Sequence, residues 1–252
     1  MKKTYAIANL LVIILLIPWN YYINTAGVNG NTVADLSAEY FNLFTPASYA
    51  FSIWGLIFMA LLAHGIFQVK SVFSDEMQDD FVLGIGPLLL IANIGNASWV
   101  WVWLSKYTAL SVVIMLVILI SLLMIVARLN MGRWNAPKSI RRWVWIPISL
   151  YSGWITVATI ANISAYLAKI GWQVVFSETI WTVVMILVAT LVNFLMIRVR
   201  NMRIFAGVGV WALVAIAVRH WGSVPMLQWT ALGCSIFLAG IILSSRFQRN
   251  FR

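Results

Sequence analysis

The sequence predicts an all-α, polytopic membrane helix bundle of about eight transmembrane helices, and three observations predict it. Of 252 residues, 62% are hydrophobic and only 10% charged, whereas soluble domains run about 45–50% apolar and about 25% charged. The apolar residues fall into continuous runs of the roughly 20 residues needed to cross a bilayer as a helix. The runs do not alternate with polar residues as barrel strands would, and the basic residues lie between them.

Eight segments qualify as spans: 5–25, 48–69, 81–104, 108–129, 143–167, 179–197, 204–218 and 225–245. In the first, Lys2 and Lys3 precede an apolar run as in a secretory signal. The run continues through Trp19, Tyr21 and Tyr22, however, and Thr25-Ala26-Gly27 is a poor cleavage site. A retained helix with an interfacial aromatic belt is therefore expected. In the third, Gly84, Gly86 and Pro87 should kink or start a helix, as should Pro147 in the fifth, because proline removes a backbone bond and clashes one turn back. The seventh segment is short and depends on flanking residues up to Trp221.

Charge orients the bundle. With the N-terminus inside, 14 of the 17 Lys and Arg residues fall at inner ends: Lys2, Lys3, Lys70, those of the 128–142 and 198–203 turns, and Arg246, Arg249 and Arg252. Only Lys106, Lys169 and Arg219 fall outside. This is the positive-inside bias. It requires an even number of spans, supports the weak seventh, and makes the chain an integral protein, read here as one of a bacterial plasma membrane with both termini cytoplasmic. The net charge of +10 is thus spent on topology, and no nucleic-acid partner is expected; membrane lipid is.

Several chemistries lack their residues. No Asp, Glu, Lys or Arg lies mid-span, which counts against ion-coupled transport, and no internal repeat supports an inverted-repeat transporter. The histidines are His64 and His220. His220, beside Arg219, reads as interfacial; His64 reads either as a packed core histidine or as an axial haem ligand. Cys234, the single cysteine, reads as a buried filler with no metal spacing. Asp75, Glu76, Asp79 and Asp80 form a solvated acidic inner loop. Trp99, Trp101, Trp103, Trp143 and Trp145 mark span ends, where indoles anchor at the interface. No catalytic residue and no metal site is assigned.

Aromatic and amide groups remain. Trp54 opens the second span in an uncharged stretch. Asn96 and Trp99, at i and i+3, share a face of the third span, and Trp154, Ala158 and Asn162, at i, i+4 and i+8, form a stripe on the fifth. Interhelical packing explains such groups. So does a single outward-opening cavity beneath the 26–45 loop, which is rich in Asn, Thr and Gly and would act as a lid. Small-residue faces are also compatible with a homodimer.

These residues carry a resemblance. Pro46 followed eight residues on by Trp54, the Asn96-Ala97-Ser98-Trp99 run, and Trp154-Ile155-Thr156-Val157-Ala158-Thr159-Ile160-Ala161-Asn162 resemble, in order, motifs of the TspO/MBR (translocator protein, tryptophan-rich sensory protein) family in its long, eight-helix form. The resemblance covers residues 1–168 and implies a five-helix core there, followed by a three-helix membrane extension over 169–252. It implies a pocket for porphyrin, haem or a sterol-like ligand lined by Trp54, Asn96, Trp99, Trp154, Ala158 and Asn162. Sequence departures are Thr45 for a second proline, Phe51-Ser52 for a Gly-Pro pair, Ile57-Phe58 for Leu-Tyr, and Ala92 for a Gln, which leave fewer polar groups. The reading is a sensor, regulator or carrier of a planar apolar ligand. Light-dependent porphyrin breakdown, with Trp54 and Trp154 oxidised, and secondary transport of a neutral solute are its alternatives.

Overall fold

The computed structural model describes residues 1–40, 42–75, 77–172 and 177–247; Glu76 of the acidic loop, the Arg246 side chain, Arg249 and Arg252 lie outside the description. The described chain is helical: α1 Lys2–Ala26, α2 Val33–Glu39, α3 Ile53–Val72, α4 Phe81–Ile85, α5 Leu88–Leu104, α6 Thr108–Arg128, α7 Lys138–Ile140, α8 Ile146–Lys169, α9 Glu178–Arg200, α10 Arg203–Arg219 and α11 Pro225–Phe247. A 3₁₀ turn, Ser48–Ser52, leads into α3, and a π-helical turn, Arg141–Trp145, joins α7 to α8. Six helical segments have the length and apolarity of a membrane span. The other two long helices, α5 and α10, have 17 residues each, the lower limit of about 17 for a crossing.

The third expected span is cut where its sequence says. Gly86 adopts φ 48°, ending α4, and Pro87 precedes the first turn of α5. Pro147 sits in the first turn of α8, directly after the π-helical turn, and the Trp143 carbonyl one turn back, which loses the proline N–H as donor, is met by His64 Nδ1 at 2.7 Å. The 26–45 loop holds more order than its composition suggests. Thr32 and Asp35 form a reciprocal capping box that starts α2, a signal legible as Thr-x-x-Asp before an apolar residue.

The helices pack around α8, which has α6 and α3 on one side and α10 on the other. Of its apolar window 67% is buried, against 28% to 39% in the other five spans. Gly153 permits the α8–α10 contact: a Cβ there would stand 2.9 Å from the Phe205 carbonyl oxygen and 3.1 Å from the Val208 Cβ. Gly209, in turn, accepts the Asn193 amide of α9 against its backbone. Small residues allow such approach where lipid supplies no hydrophobic drive between helices. α10, rich in Ala and Gly, is the seventh expected segment, whose weakness in the sequence lay in its shortness.

Polar contacts close the two ends. At one, Lys2 Nζ lies 2.7 Å from both Asp79 and Asp80 carboxylates, so part of the acidic loop is paired with the N-terminal helix. At the other, Lys106 pairs with Glu39 of α2 at 2.7 Å and Lys169 donates to the Lys106 carbonyl. His220, at the end of α10, is buried within the protein, with Nε2 2.7 Å from the Leu43 carbonyl. Its place is dictated by the loop above it, which the local sequence around Arg219 does not reveal. Cys234 is only partly buried, against the core.

Two outcomes follow from this packing. Gly153→Leu should separate α10 from α8 and destabilise the protein by about 1–3 kcal/mol, read as a lowered unfolding temperature in detergent. The Asp35 carboxyl is held below its ordinary range by hydrogen bonds, first from the Thr32 hydroxyl and then from the Thr32 N–H. A depressed value means that the cap stabilises α2 above the unfolded carboxylate range and is lost as pH falls through the folded value. Acidification should therefore lower the amide-exchange protection factors at Leu36 and Tyr40, taken against intrinsic exchange at each pH, and Asp35→Asn should remove that acid-dependent component.

Candidate ligand-binding site

The site is built beneath a strap, residues 42–52, that crosses the end of the bundle. Asn42 Oδ1 accepts from the Phe44 N–H, and Pro46 fixes the chain ahead of the 3₁₀ turn. The strap is pinned to α10: the Ala47 N–H donates to the Ala215 carbonyl at 3.1 Å, and Trp211 Nε1 donates to the Ala50 carbonyl at 3.1 Å. Tyr49 meets the Trp211 ring edge-on at 5.3 Å. The C-terminal helices thus hold the segment that roofs the site.

Two adjoining spaces lie under the strap. An outer groove of about 650 Å³ runs between α1, the strap, α3 and α5, with Asn20, Asn24, Phe51, Trp54, Phe58 and Trp99 on its walls and Arg219 at its margin. An inner cavity of about 60 Å³ lies between α5 and α8, lined by Trp99, Trp103, Trp154, Ala158, Ala161 and Asn162 among others. Phe51 and Trp99 belong to both linings. Phe51 stands between the two tryptophans of the sequence motifs, meeting Trp154 edge-on at 5.8 Å, while Trp54 stacks on Phe58 at 5.3 Å and touches the Tyr151 ring at 6.0 Å.

The six residues singled out in the sequence are therefore divided. Trp154, Ala158 and Asn162 lie together on the inner cavity, Trp54 lies on the outer groove, and Trp99 lies on both. Asn96 lines neither; it is buried, and its Oδ1 accepts from Asn20 Nδ2 of α1 at 3.1 Å. The Asn162 amide is 3.1 Å from Ser111 Oγ of α6, which donates in turn to the Thr108 carbonyl at 2.7 Å.

The inner cavity has an unusual chemical content. Trp99, Trp103 and Trp154 all line it, and the Nε1 of each is buried with no hydrogen-bond partner among the described residues. A buried donor without an acceptor costs about 1–3 kcal/mol, so each of these lining indoles carries an unmet donor near the cavity. Trp103 is only 4% exposed and stacks on Trp99 at 6.1 Å. It is a lining residue, whereas its position near the end of the span made it look like an anchor; the i, i+4 spacing to Trp99 was the available signal. Trp101, between them in sequence, does face outward, 48% exposed. Phe51 and Arg219 were also missed, the latter because it arrives from a helix remote in sequence.

Neither histidine lines either space. His64 is buried, with Nδ1 2.7 Å from the Trp143 carbonyl in the π-helical turn, so it clamps α3 to the start of α8. Among the described residues no group of three His, Cys, Asp or Glu is placed to hold a metal ion.

Fold and site together define an integral membrane protein of helical-bundle type with an aromatic pocket under a pinned strap. The model of the TSPO-like protein family matches residues 6–244, and the chain belongs to that family. The matched region takes in α9, α10 and α11, which lie beyond the sequence motifs of residues 1–168. No curated protein and no solved structure matches the chain.

Trp154, 2% exposed, should act as a structural residue as well as a lining one. Trp154→Ala is expected to cost about 3–5 kcal/mol and half-buried Trp54→Ala distinctly less, a ranking readable from unfolding temperatures in one detergent.

Proposed function

We propose that this protein binds a planar apolar ligand, a tetrapyrrole or sterol-like molecule, within the membrane and acts as its sensor, regulator or carrier. The observation that carries the reading is the outer groove. Its volume of about 650 Å³ falls within the roughly 300–1,000 Å³ of small-molecule sites, and its walls are aromatic. Ring area buried at about 25 cal/mol per Å², with stacking on Trp54 and Phe58, supplies affinity without a charged interior. Arg219 at the margin suits a peripheral carboxylate. The inner cavity, at about 60 Å³, is too small for a macrocycle; it suits water or an acceptor-bearing edge of the guest reaching the three indole N–H groups.

In this reading the tetrapyrrole is held by stacking and not by an axial histidine, since His64 and His220 line neither space. Residues 1–168 hold the ligand, and residues 169–252 brace the strap through Ala215 and Trp211. The protein sits in a bacterial plasma membrane with both termini in the cytoplasm, which the uneven distribution of basic residues supports.

Porphyrin titration of the purified protein, followed by quenching of tryptophan fluorescence, tests the reading. Saturable binding is expected, weakened about ten-fold by Trp54→Ala, or about 1.4 kcal/mol, and unchanged by Trp101→Ala. Equal effects of the two substitutions, or no saturation, would refute it. Bleaching of the bound pigment faster than of free pigment under illumination would instead favour the light-dependent breakdown.

A further inference from the structure

A second recess lies at the end of the bundle where Lys2 meets Asp79 and Asp80. It is a groove of about 420 Å³ between the α6–α7 connection, the start of α8 and the α9–α10 turn. Four cations line it, Lys138, Arg141, Arg142 and Arg203, and none of the lining residues is acidic. We propose that this groove holds the phosphate headgroup of an anionic phospholipid.

The arrangement goes beyond the general excess of basic residues at one end of a membrane protein. The cations of this end serve two separate purposes. Arg133 and Arg200 are used internally: Arg133 Nε donates to the Val199 carbonyl and Arg200 Nη1 to the Val126 carbonyl, both at 3.4 Å. These bonds tie the α6–α7 connection to the α9–α10 turn. Gly132, at φ 77°, seats its backbone against the Arg200 carbonyl, where a Cβ has no room. Asn201 closes α9 in the left-handed conformation, at φ 53°, and its side-chain oxygen accepts from Arg203 Nε at 3.1 Å. The recess therefore has a fixed backbone floor, and Lys138, Arg141 and Arg142 line it beside the bonded Arg203.

Its chemistry is graded as a lipid's is. Lys138, Arg141, Arg142, Trp145 and Ser149 recur at helical spacing, so one face of the α7–α8 rod descends from charge to apolar interior. Met131 and Met202 are buried beneath, and Ile204 is exposed at the lip, where acyl chains would leave. Trp145 also lines the groove, and its Nε1 is buried with no partner among the described residues, a donor that a ring rotation would bring to a phosphate oxygen. Its ring is held edge-on by Trp134 at 5.9 Å. Arg142 lies over the exposed Trp143 ring at 5.3 Å, an indole suited to the headgroup layer. Basic pockets between helices at the membrane surface are the kind of site that takes anionic headgroups. A free phosphate shares the anionic chemistry but not the apolar lip, which is why the lipid is favoured.

Native mass spectrometry of the full-length protein in detergent, with phosphatidylglycerol or phosphatidylcholine of identical acyl chains added, reads the outcome. Phosphatidylglycerol should be retained at least about ten-fold more tightly. Each cation removed should weaken it about five-fold, so R141Q/R142Q should lose roughly thirty-fold. Lys106→Gln with Lys169→Gln, which removes the same charge from the opposite end, should leave retention unchanged. Trp145→Phe, which keeps the ring and deletes the donor, should weaken phosphatidylglycerol alone and serves if the double arginine variant does not fold. Equal retention of the two lipids, equal losses in the two double variants, or no effect of Trp145→Phe would overturn the proposal. Complete displacement of phosphatidylglycerol by an equal concentration of inorganic phosphate would assign the groove to a free anion and overturn it as well.

Discussion

The close approach of α10 to α8 at Gly153 governs most of what surrounds the pocket. In a bilayer no hydrophobic drive separates helix faces from lipid, so association rests on packing and on satisfied hydrogen bonds. A glycine on α8 lets the Phe205 backbone approach, and this sets where Ala215 and Trp211 meet the strap. The strap has few bonds of its own; two of the best, Ala47 to Ala215 and Trp211 to Ala50, are made to α10. Phe51 is thereby held between Trp54 and Trp154, and the space under the strap is divided in two. A helix outside the motif-bearing segment thus determines the shape of the site within it.

The same scarcity of water explains how polar groups are distributed. Some amides inside the bundle pair across helices, as Asn20 with Asn96 and Asn9 with Gln68, while hydroxyls return to the carbonyl one turn back, as Ser152, Thr156 and Thr159 do on α8. Other buried polar atoms have no partner among the described residues, both side-chain atoms of Asn93 and the Nε1 atoms of Trp99, Trp103, Trp145 and Trp154 among them. Packing alone would be served better by phenylalanine, which fills similar volume with no donor to satisfy. In the proposed function, acceptor atoms of the guest would meet the donors at 99, 103 and 154.

Much of this was legible in the sequence, for definite reasons. Continuous apolar runs give helices, and Gly86-Pro87 and Pro147 give their breaks and starts, because those constraints act within a few residues. The Trp154–Ala158–Asn162 stripe is readable because helical spacing alone puts those residues on one face. What escaped was set by long-range packing. Asn96 shares a face with Trp99 by spacing, yet Asn20 of α1 takes its oxygen. His220 is polar and near a loop, yet Leu43 encloses it. Nothing near Trp54 or Trp154 announces that Phe51 will divide them, since the strap's position is fixed by α10. The capping box of α2 was a local signal that composition obscured.

The outer groove and the basic groove differ in what defines them. The outer groove is defined by rings and becomes visible once the strap is in place. The basic groove was present in the charge pattern from the start, but a count of cations assigns them all to topology. Only the separation of Arg133 and Arg200, bonded to backbone carbonyls, from Arg141, Arg142 and Lys138, which line a recess, shows that identical residue types at one end of the bundle do different work. For a helix end at the headgroup layer, the presence of a cavity is therefore more informative than the number of charges: solvated cations need no cavity, whereas cations arranged round an indole donor and an apolar lip describe the shape of a ligand.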